Sequence, residues 1–311
     1  MKYISVKEAA EKWAISTTMV RRYCSQDRIP NAMCQNGTWF IPSTAKKPDK
    51  FERTPYREEL LPLARKLVRQ KKKKNYHGLY DYVQIDLTYS SSRMASNRLT
   101  RLQVESIFRK GKVRESFEPM KVSDLVEVMN HCVCIDYIID HVTEPLTQKF
   151  IQHMHYLLMF GTVDHRLKRV TPGVYRTEDT KRRSRSVSPP GKINTAMNLL
   201  LNHYEGQYEI QRTEILDFHV QFERIAPFDD GNGRVGRLIM FKECLRFGVM
   251  PFILDDKHRK QYIDGLELWP HDRMTLIEVV AAAQDRFEIE INRHLMAESC
   301  QPFYGDEDDE E

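Results

Sequence analysis

The sequence predicts a mainly α-helical protein: a large helical domain with a small β-hairpin flap, preceded by a small helix-turn-helix unit with a β wing. Three observations lead there. Apolar residues recur three and four apart in successive segments between Arg98 and Met296, the spacing of helices with one buried face. Two short helical patterns and an Asn-Gly pair fill the start of the chain. One stretch inside the helical part, residues 172–190, is too rich in Gly, Pro, Ser and Thr to be helix.

Taken in order, VKEAAEKW sets Val6, Ala9, Ala10 and Trp13 at helical spacing. AIST makes a turn with Ser16 as N-cap, and TTMVRRYCSQDRI starts a second helix carrying Met19, Val20 and Tyr23. After Pro30, NAMCQNGTWFIP places two strand-like pieces around Asn36-Gly37, a hairpin signal. The unit, residues 1–52, resembles the winged helix-turn-helix domains of excisionases and related bacterial regulators. That resemblance implies DNA as a partner, with Arg21, Arg22, Lys46, Lys47 and Lys50 as candidates for phosphates or base edges. A helical interaction module with solvated arginines is the other reading. Residues 53–79 read as a linker with one helical segment, EELLPLARKLVRQ, ending in the solvated run Lys71 to Lys74. The large domain covers 80–300, and 301–311, with GDEDDEE, is an acidic tail.

Composition narrows the function. A 311-residue chain with 41% hydrophobic content has ample material for a core. A net charge of +4 is too mild for a chain that binds nucleic acid over its whole surface. Cys24, Cys34, Cys132, Cys134, Cys244 and Cys300 are scattered without zinc spacing or a disulfide pattern. No apolar run has signal-peptide length or approaches the roughly 18 residues of a membrane span, so a cytoplasmic protein without a membrane partner is expected.

The chemistry concentrates in FERIAPFDDGNGRVGRLIMF. Pro227 and the acidic pair break a helix whose core face includes Phe222 and Ile225, and a new helix begins near Gly233 with Leu238, Ile239, Phe241 and Leu245 as apolar positions. Glycines at a helix N-terminus make an anion site, because free N–H groups point outward and the macrodipole adds positive charge. Gly231 and Gly233 admit a close phosphate, Asn232 offers an amide donor, and Arg234 and Arg237 stand three apart. Asp230 beside a triphosphate suits Mg2+. The plain alternative is a turn whose arginines pair with Asp229 and Asp230.

The segment resembles the Fic/DOC family motif, His-Pro-Phe-x-Asp/Glu-Gly-Asn-Gly-Arg-x-x-Arg, at Pro227, Phe228, Asp230, Gly231, Asn232, Gly233, Arg234 and Arg237. PGVYR and RSVSPP resemble the family's flap, and PFILDDKHRKQYIDGLE the helix after its active site, so the likeness spans about residues 80–295. It implies a protein adenylyltransferase that transfers AMP from ATP to a Ser, Thr or Tyr hydroxyl of a target protein, itself included. By that resemblance Asp230 holds Mg2+, Gly231 to Gly233 cradle phosphates and Arg237 grips the γ-phosphate. Arg234 supports loop and phosphates, and Phe228 anchors the loop. Gly173, Val174, Tyr175 and Arg176 belong to a flap, running to about Val187, that clamps the target strand by strand addition. Tyr262 is a candidate for the adenine pocket or, equally, a core residue.

Two positions depart from the pattern. The family's general base is the leading histidine, and Ala226 stands there with no titratable group. His219, seven residues earlier, is about 10 Å away along a helix, and Asp229 flanks a metal-ligand position, so neither replaces it. The chain as given reads as a catalytically dead variant, natural or introduced. In SSRMASN, Ser91 aligns with the serine of the family's inhibitory helix, but Ala95 stands where that helix has the glutamate that blocks the second arginine; an ordinary loop is the plain reading of these residues. ATP binding without turnover is the expectation. The alternative is a DNA-binding transcriptional regulator whose Fic-type domain binds nucleotide or forms a homodimer without catalysis.

Overall fold

A computed structural model describes residues 3–15, 17–25, 29–35, 38–48, 61–73, 77–113, 120–179, 187–207 and 209–299. The chain divides into two compact units, Met1–Arg53 and Thr54–Glu311.

In the first unit, β1 (Tyr3–Ser5) runs directly into α1 (Val6–Trp13). Ser5 ends the strand and starts the helix through a capping box: its hydroxyl accepts from the Glu8 N–H while the Glu8 carboxylate accepts from the Ser5 N–H. Then come α2 (Thr17–Ser25), β2 (Met33–Gln35) and β3 (Thr38–Pro42). The strands form an antiparallel sheet in the order β1-β3-β2. Gln35 pairs with Thr38, the register of a two-residue hairpin; Asn36 and Gly37 themselves, like Ser16, Lys50 and the Arg22 side chain, lie outside the described residues. Val6, Ala9, Ala10, Trp13, Val20, Tyr23, Ile29 and Ile41 make this unit's own core. The wing thus has three strands, because Ile4 joins opposite Ile41. Lys47, a candidate for phosphates, is exposed and donates to the Trp13 carbonyl at 3.1 Å, helping to close the C-terminal end of α1. Arg21 is exposed.

In the second unit, α3 (Pro62–Lys72) begins with Pro at its first turn. It lies inside the stretch expected to be a linker, yet Ala64 and Leu67 are buried in the main core. Leu63 and Val68 pack beside them, so the helix presents an apolar face to that core. Next comes one continuous helical run: α4 (Leu79–Tyr82), a π-helical segment (Val83–Leu87) and α5 (Thr88–Met94). α6 (Arg101–Lys110) is closed by a Thr100–Gln103 capping box and a left-handed Gly111. α7 (Val122–Asp140), α8 (Gln148–Met159) and α9 (Val163–Arg166) follow, then α10 (Ile193–Glu205), α11 (Arg212–Ile225), α12 (Asn232–Phe247), α13 (Arg259–Leu268) and α14 (Met274–Ser299).

α12 is the axis of this unit. It packs on α11, α7, α8, α5 and α3, and residues on all its sides, among them Val235, Leu238, Phe241 and Cys244, are buried, as expected for a helix surrounded by others. Even Lys242 is inside, with Nζ 2.7 Å from Glu243 and 5.2 Å from the centre of the Phe150 ring. Between α9 and α10 the described residues run as turns, bends and irregular chain up to a 3-10 turn, Pro190–Lys192, that leads into α10. Of the expected pairing of VYRT with RSVS, Val174 to Thr177, Val187 and Ser188 are described and form no strand, the Arg176 N–H bonding the Pro227 carbonyl and the Ser188 N–H the Arg224 carbonyl instead; Arg185, Ser186 and the acidic tail lie outside the described residues.

Candidate functional site

The turn from α11 to α12 is built by backbone geometry that few sequences allow. α11 stops at Ala226, which is left-handed at φ 47° and fully buried. Alanine rarely adopts that conformation. Its N–H still donates to the Phe222 carbonyl at 2.9 Å. Past Pro227, Phe228 inserts into the core and lies flat on the His155 ring, centroids 3.7 Å apart and planes within 7°. Gly231 is left-handed at φ 77°, and a methyl there would stand 3.1 Å from the Met159 sulfur. Glycine is therefore required twice over.

Asn232 opens α12 and closes the loop. Its Oδ1 accepts from the Phe228 N–H at 3.0 Å and its Nδ2 donates to the Phe228 carbonyl at 2.7 Å. The side chain expected to donate to a phosphate is thus engaged in shaping the loop. The residues of the first turn of α12 bring backbone N–H groups for which a helix start supplies no intrahelical partner. They border a cavity of about 610 Å3 that also gathers Asp230, Gly233, Arg234, Arg237, Ala95, Glu127, Glu223 and Tyr262. That volume lies in the range of roughly 300–1,000 Å3 typical of small-molecule sites.

The charged groups are held in place by specific neighbours. Arg234 is almost fully buried and bonds Glu127 on α7 at 2.7 Å, with Asp230 at 3.7 Å. Burial pushes the Glu127 carboxyl upward, while Arg234 pulls it the other way. The predicted pairing of an arginine with Asp230 is present, but its tighter partner, Glu127, lies 107 residues away in sequence. Arg237 is fixed on its far side by Ser91: Nε donates to the hydroxyl at 3.1 Å and Nη2 to the carbonyl at 2.9 Å. Its Nη1 lies 3.1 Å from where a Gly233 methyl would stand, a point 3.5 Å from Glu223. α5 therefore does lie on the second arginine, and Ala95 lines the cavity without offering it a charge.

Tyr262 belongs to the cavity wall and to the core at once: it is buried, and its hydroxyl is 2.5 Å from His219 Nε2. His219 is sealed against Gly236, whose methyl would come within 2.6 Å of the ring. Burial pulls its pKa down to about 4. It is a packing histidine, committed to Tyr262.

Of the flap residues, Gly173 is left-handed at φ 77° and Val174 is 49% exposed. The side chains of Tyr175 and Arg176 point inward: the Tyr175 ring is 5.3 Å from Phe228, and the Arg176 side chain is fully buried. Apolar area drives the first inward and three carbonyls hold the second. Sequence reasoning also missed His155. Its Nδ1 accepts from the Gly173 N–H at 2.9 Å, so Nε2 carries the proton and donates to the Asp230 carbonyl at 3.1 Å. Burial keeps the ring neutral, with a pKa near 3. In HMHYLLMFG it looks like any residue on a helix face; only the fold brings Gly173 and Asp230 to its two nitrogens.

Among the described residues no group of three or more His, Cys, Asp or Glu could hold a metal alone. Asp230, its side chain 40% exposed and facing the cavity, suits a cation that keeps waters and takes further ligands from phosphates, as Mg2+ does. No helix among the described residues is long and apolar enough to cross a membrane.

Residues 145–244 match the model of the Fic/DOC family, so the chain contains a Fic/DOC family domain. A protein adenylyltransferase Fic of Aedes aegypti is 32% identical over 87 residues, 26% of this chain and 17% of that protein. A probable protein adenylyltransferase of Aquifex aeolicus is 33% identical over 89 residues, 29% of this chain and 26% of that protein. One from Drosophila grimshawi, also a protein adenylyltransferase Fic, is 26% identical over 189 residues, 58% of this chain and 37% of that protein. The chain thus matches well under half the length of these relatives. In fold it resembles a Fic-domain signaling protein from Bacteroides thetaiotaomicron, TM-score 0.59 at 16% identity, covering 78% of this chain and 98% of that one. Fic-1 from C. elegans has TM-score 0.56 at 19% identity, covering 76% and 73%.

Proposed function

We propose that the Fic/DOC domain of this chain binds ATP with Mg2+ at the start of α12 as a protein adenylyltransferase does, and transfers AMP poorly or not at all with alanine at position 226. The observation that carries this reading is the convergence on one cavity of the α12 N-terminus, Gly231, Gly233, Asp230, Arg234 and Arg237. A helix N-terminus, two arginines and a carboxylate suit a triphosphate and its cation. Asp230 would hold the Mg2+, which supplies charge neutralisation for the phosphates. Arg237 would grip the terminal phosphate, Arg234 the loop, and Tyr262 would close the wall beside the base. The target is a protein hydroxyl, on a partner or on this chain itself, approaching past Val174.

Transfer needs a group that takes the hydroxyl proton, a contribution of typically a hundredfold to ten-thousandfold. Ala226 has none, and His219 is bonded to Tyr262 in the interior. Hence binding is expected to outlast catalysis. Calorimetric titration with MgATP tests the binding half: a complex with the chain as given, weakened by Arg237→Ala and made less dependent on Mg2+ by Asp230→Asn, is expected. Equal binding by all three chains would refute it.

A second reading concerns the first unit. Its helix pair with a three-stranded wing and an exposed Arg21 suits a DNA duplex, making the protein a transcriptional regulator with a nucleotide-binding domain. A gel shift with the full chain, weakening steeply with salt and lost on Arg21→Ala, is the expected result. Both readings are compatible.

A further inference from the structure

Arg176 reaches across from the flap to the head of the motif loop. Its Nε donates to the Ala226 carbonyl at 2.8 Å, Nη1 to Glu178 O at 3.0 Å and Nη2 to Ser188 O. Its backbone N–H donates to the Pro227 carbonyl at 2.9 Å. Asp179 stands at 4.0 Å and is 86% exposed, and three carbonyls accept from the buried guanidinium. Taking a guanidinium out of water is expensive, and only its rigid fork of five donors matches three separate carbonyls.

The carbonyl it holds is that of the residue in the unfavourable left-handed conformation. Fixing that peptide fixes ψ of residue 226 and with it the direction of the Cα–Cβ bond. The opposite end of the loop is secured independently, by the Asn232–Phe228 pair and by His155 on the Asp230 carbonyl. We infer that Arg176 is a positioning residue for the transfer step, aiming the side chain of residue 226, and contributes little to the grip on nucleotide. This rests on the adenylyltransferase reading.

The test uses the full chain carrying Ala226→His, alone and combined with Arg176→Lys or Arg176→Ala. Labelling from ATP marked on the α-phosphate is measured per bound nucleotide, which removes any loss of folded protein. Arg176→Lys is expected to lower kcat about tenfold or more while KM for ATP stays within about twofold, the signature of displaced geometry. Added guanidinium ion is expected to restore part of the rate to Arg176→Ala. A kcat within about twofold of the parent, or a parallel rise in KM for ATP, would overturn the inference. Absence of labelling by the Ala226→His parent would count against the adenylyltransferase reading. Amide exchange of the chain with alanine at 226 then tests Arg176 separately: Arg176→Lys should speed exchange at Ala226 and Phe228 about tenfold and leave Val235 unchanged. Equal rates at all three amides would overturn the positioning role.

Discussion

The two ends of the α11–α12 turn are built to different degrees. At the α12 end, every group suited to a phosphate is present and braced: Arg234 by Glu127, Arg237 by Ser91, the loop by Asn232. At the head, the bracing is equally thorough, with Arg176 on the carbonyl and a left-handed backbone, yet the residue so carefully held is an alanine. A buried arginine and an unfavourable φ are an odd investment for a methyl group. On the proposed function, the difference teaches that nucleotide binding and proton removal are separable, with the scaffold for the second kept without the group it would serve.

The change with the largest expected effect fills the head. Ala226→His is expected to raise AMP transfer by about a hundredfold or more, with ATP affinity altered less than about threefold. Filling the other end is the converse. Ala95→Glu puts a carboxylate on the cavity wall near Arg237 and is expected to weaken ATP binding about tenfold, measured by calorimetry. Gly231→Ala breaks the loop that joins the two ends: the left-handed backbone and the Met159 sulfur together cost about 2 kcal/mol or more, seen as a lower midpoint in urea and as lost ATP binding.

The last effect is read as a slope with pH and distinguishes the site from its support. Burial holds His219 near pKa 4 and His131 near 3, against about 6.5 in an unfolded chain. Below pH 6.5 the unfolded chain takes up protons that these two refuse, so each removes up to about 1.4 kcal/mol of stability per pH unit as pH falls toward 4. Above pH 7 they contribute no slope. Urea melts from pH 7.5 to 5 check this, and His219→Gln should flatten the slope by one histidine's share.

Much of the turn was legible in the sequence, because its demands are local. Gly231 must accept positive φ, Pro227 must end a helix, and Arg234 and Arg237 share a face by spacing alone. The helices from α6 to α14 were legible for the same reason, apart from the single turn of α9. What the sequence concealed were partners far along the chain. Nothing near Glu127 announces Arg234, and nothing in PGVYR announces the carbonyls of Ala226 and Ser188 that Arg176 meets. Leu67 looked like part of a linker because the surface it covers comes from other helices. Asn232 was assigned a ligand when its own loop uses both ends of its amide.

The most direct measurement compares the chain as given with Ala226→His under saturating MgATP, using ATP labelled on the α-phosphate. The separability of the two ends predicts equal nucleotide occupancy in both chains, and label on protein only with the histidine. Label transferred equally by the alanine chain, or no label from the histidine chain while ATP is demonstrably bound, would contradict it.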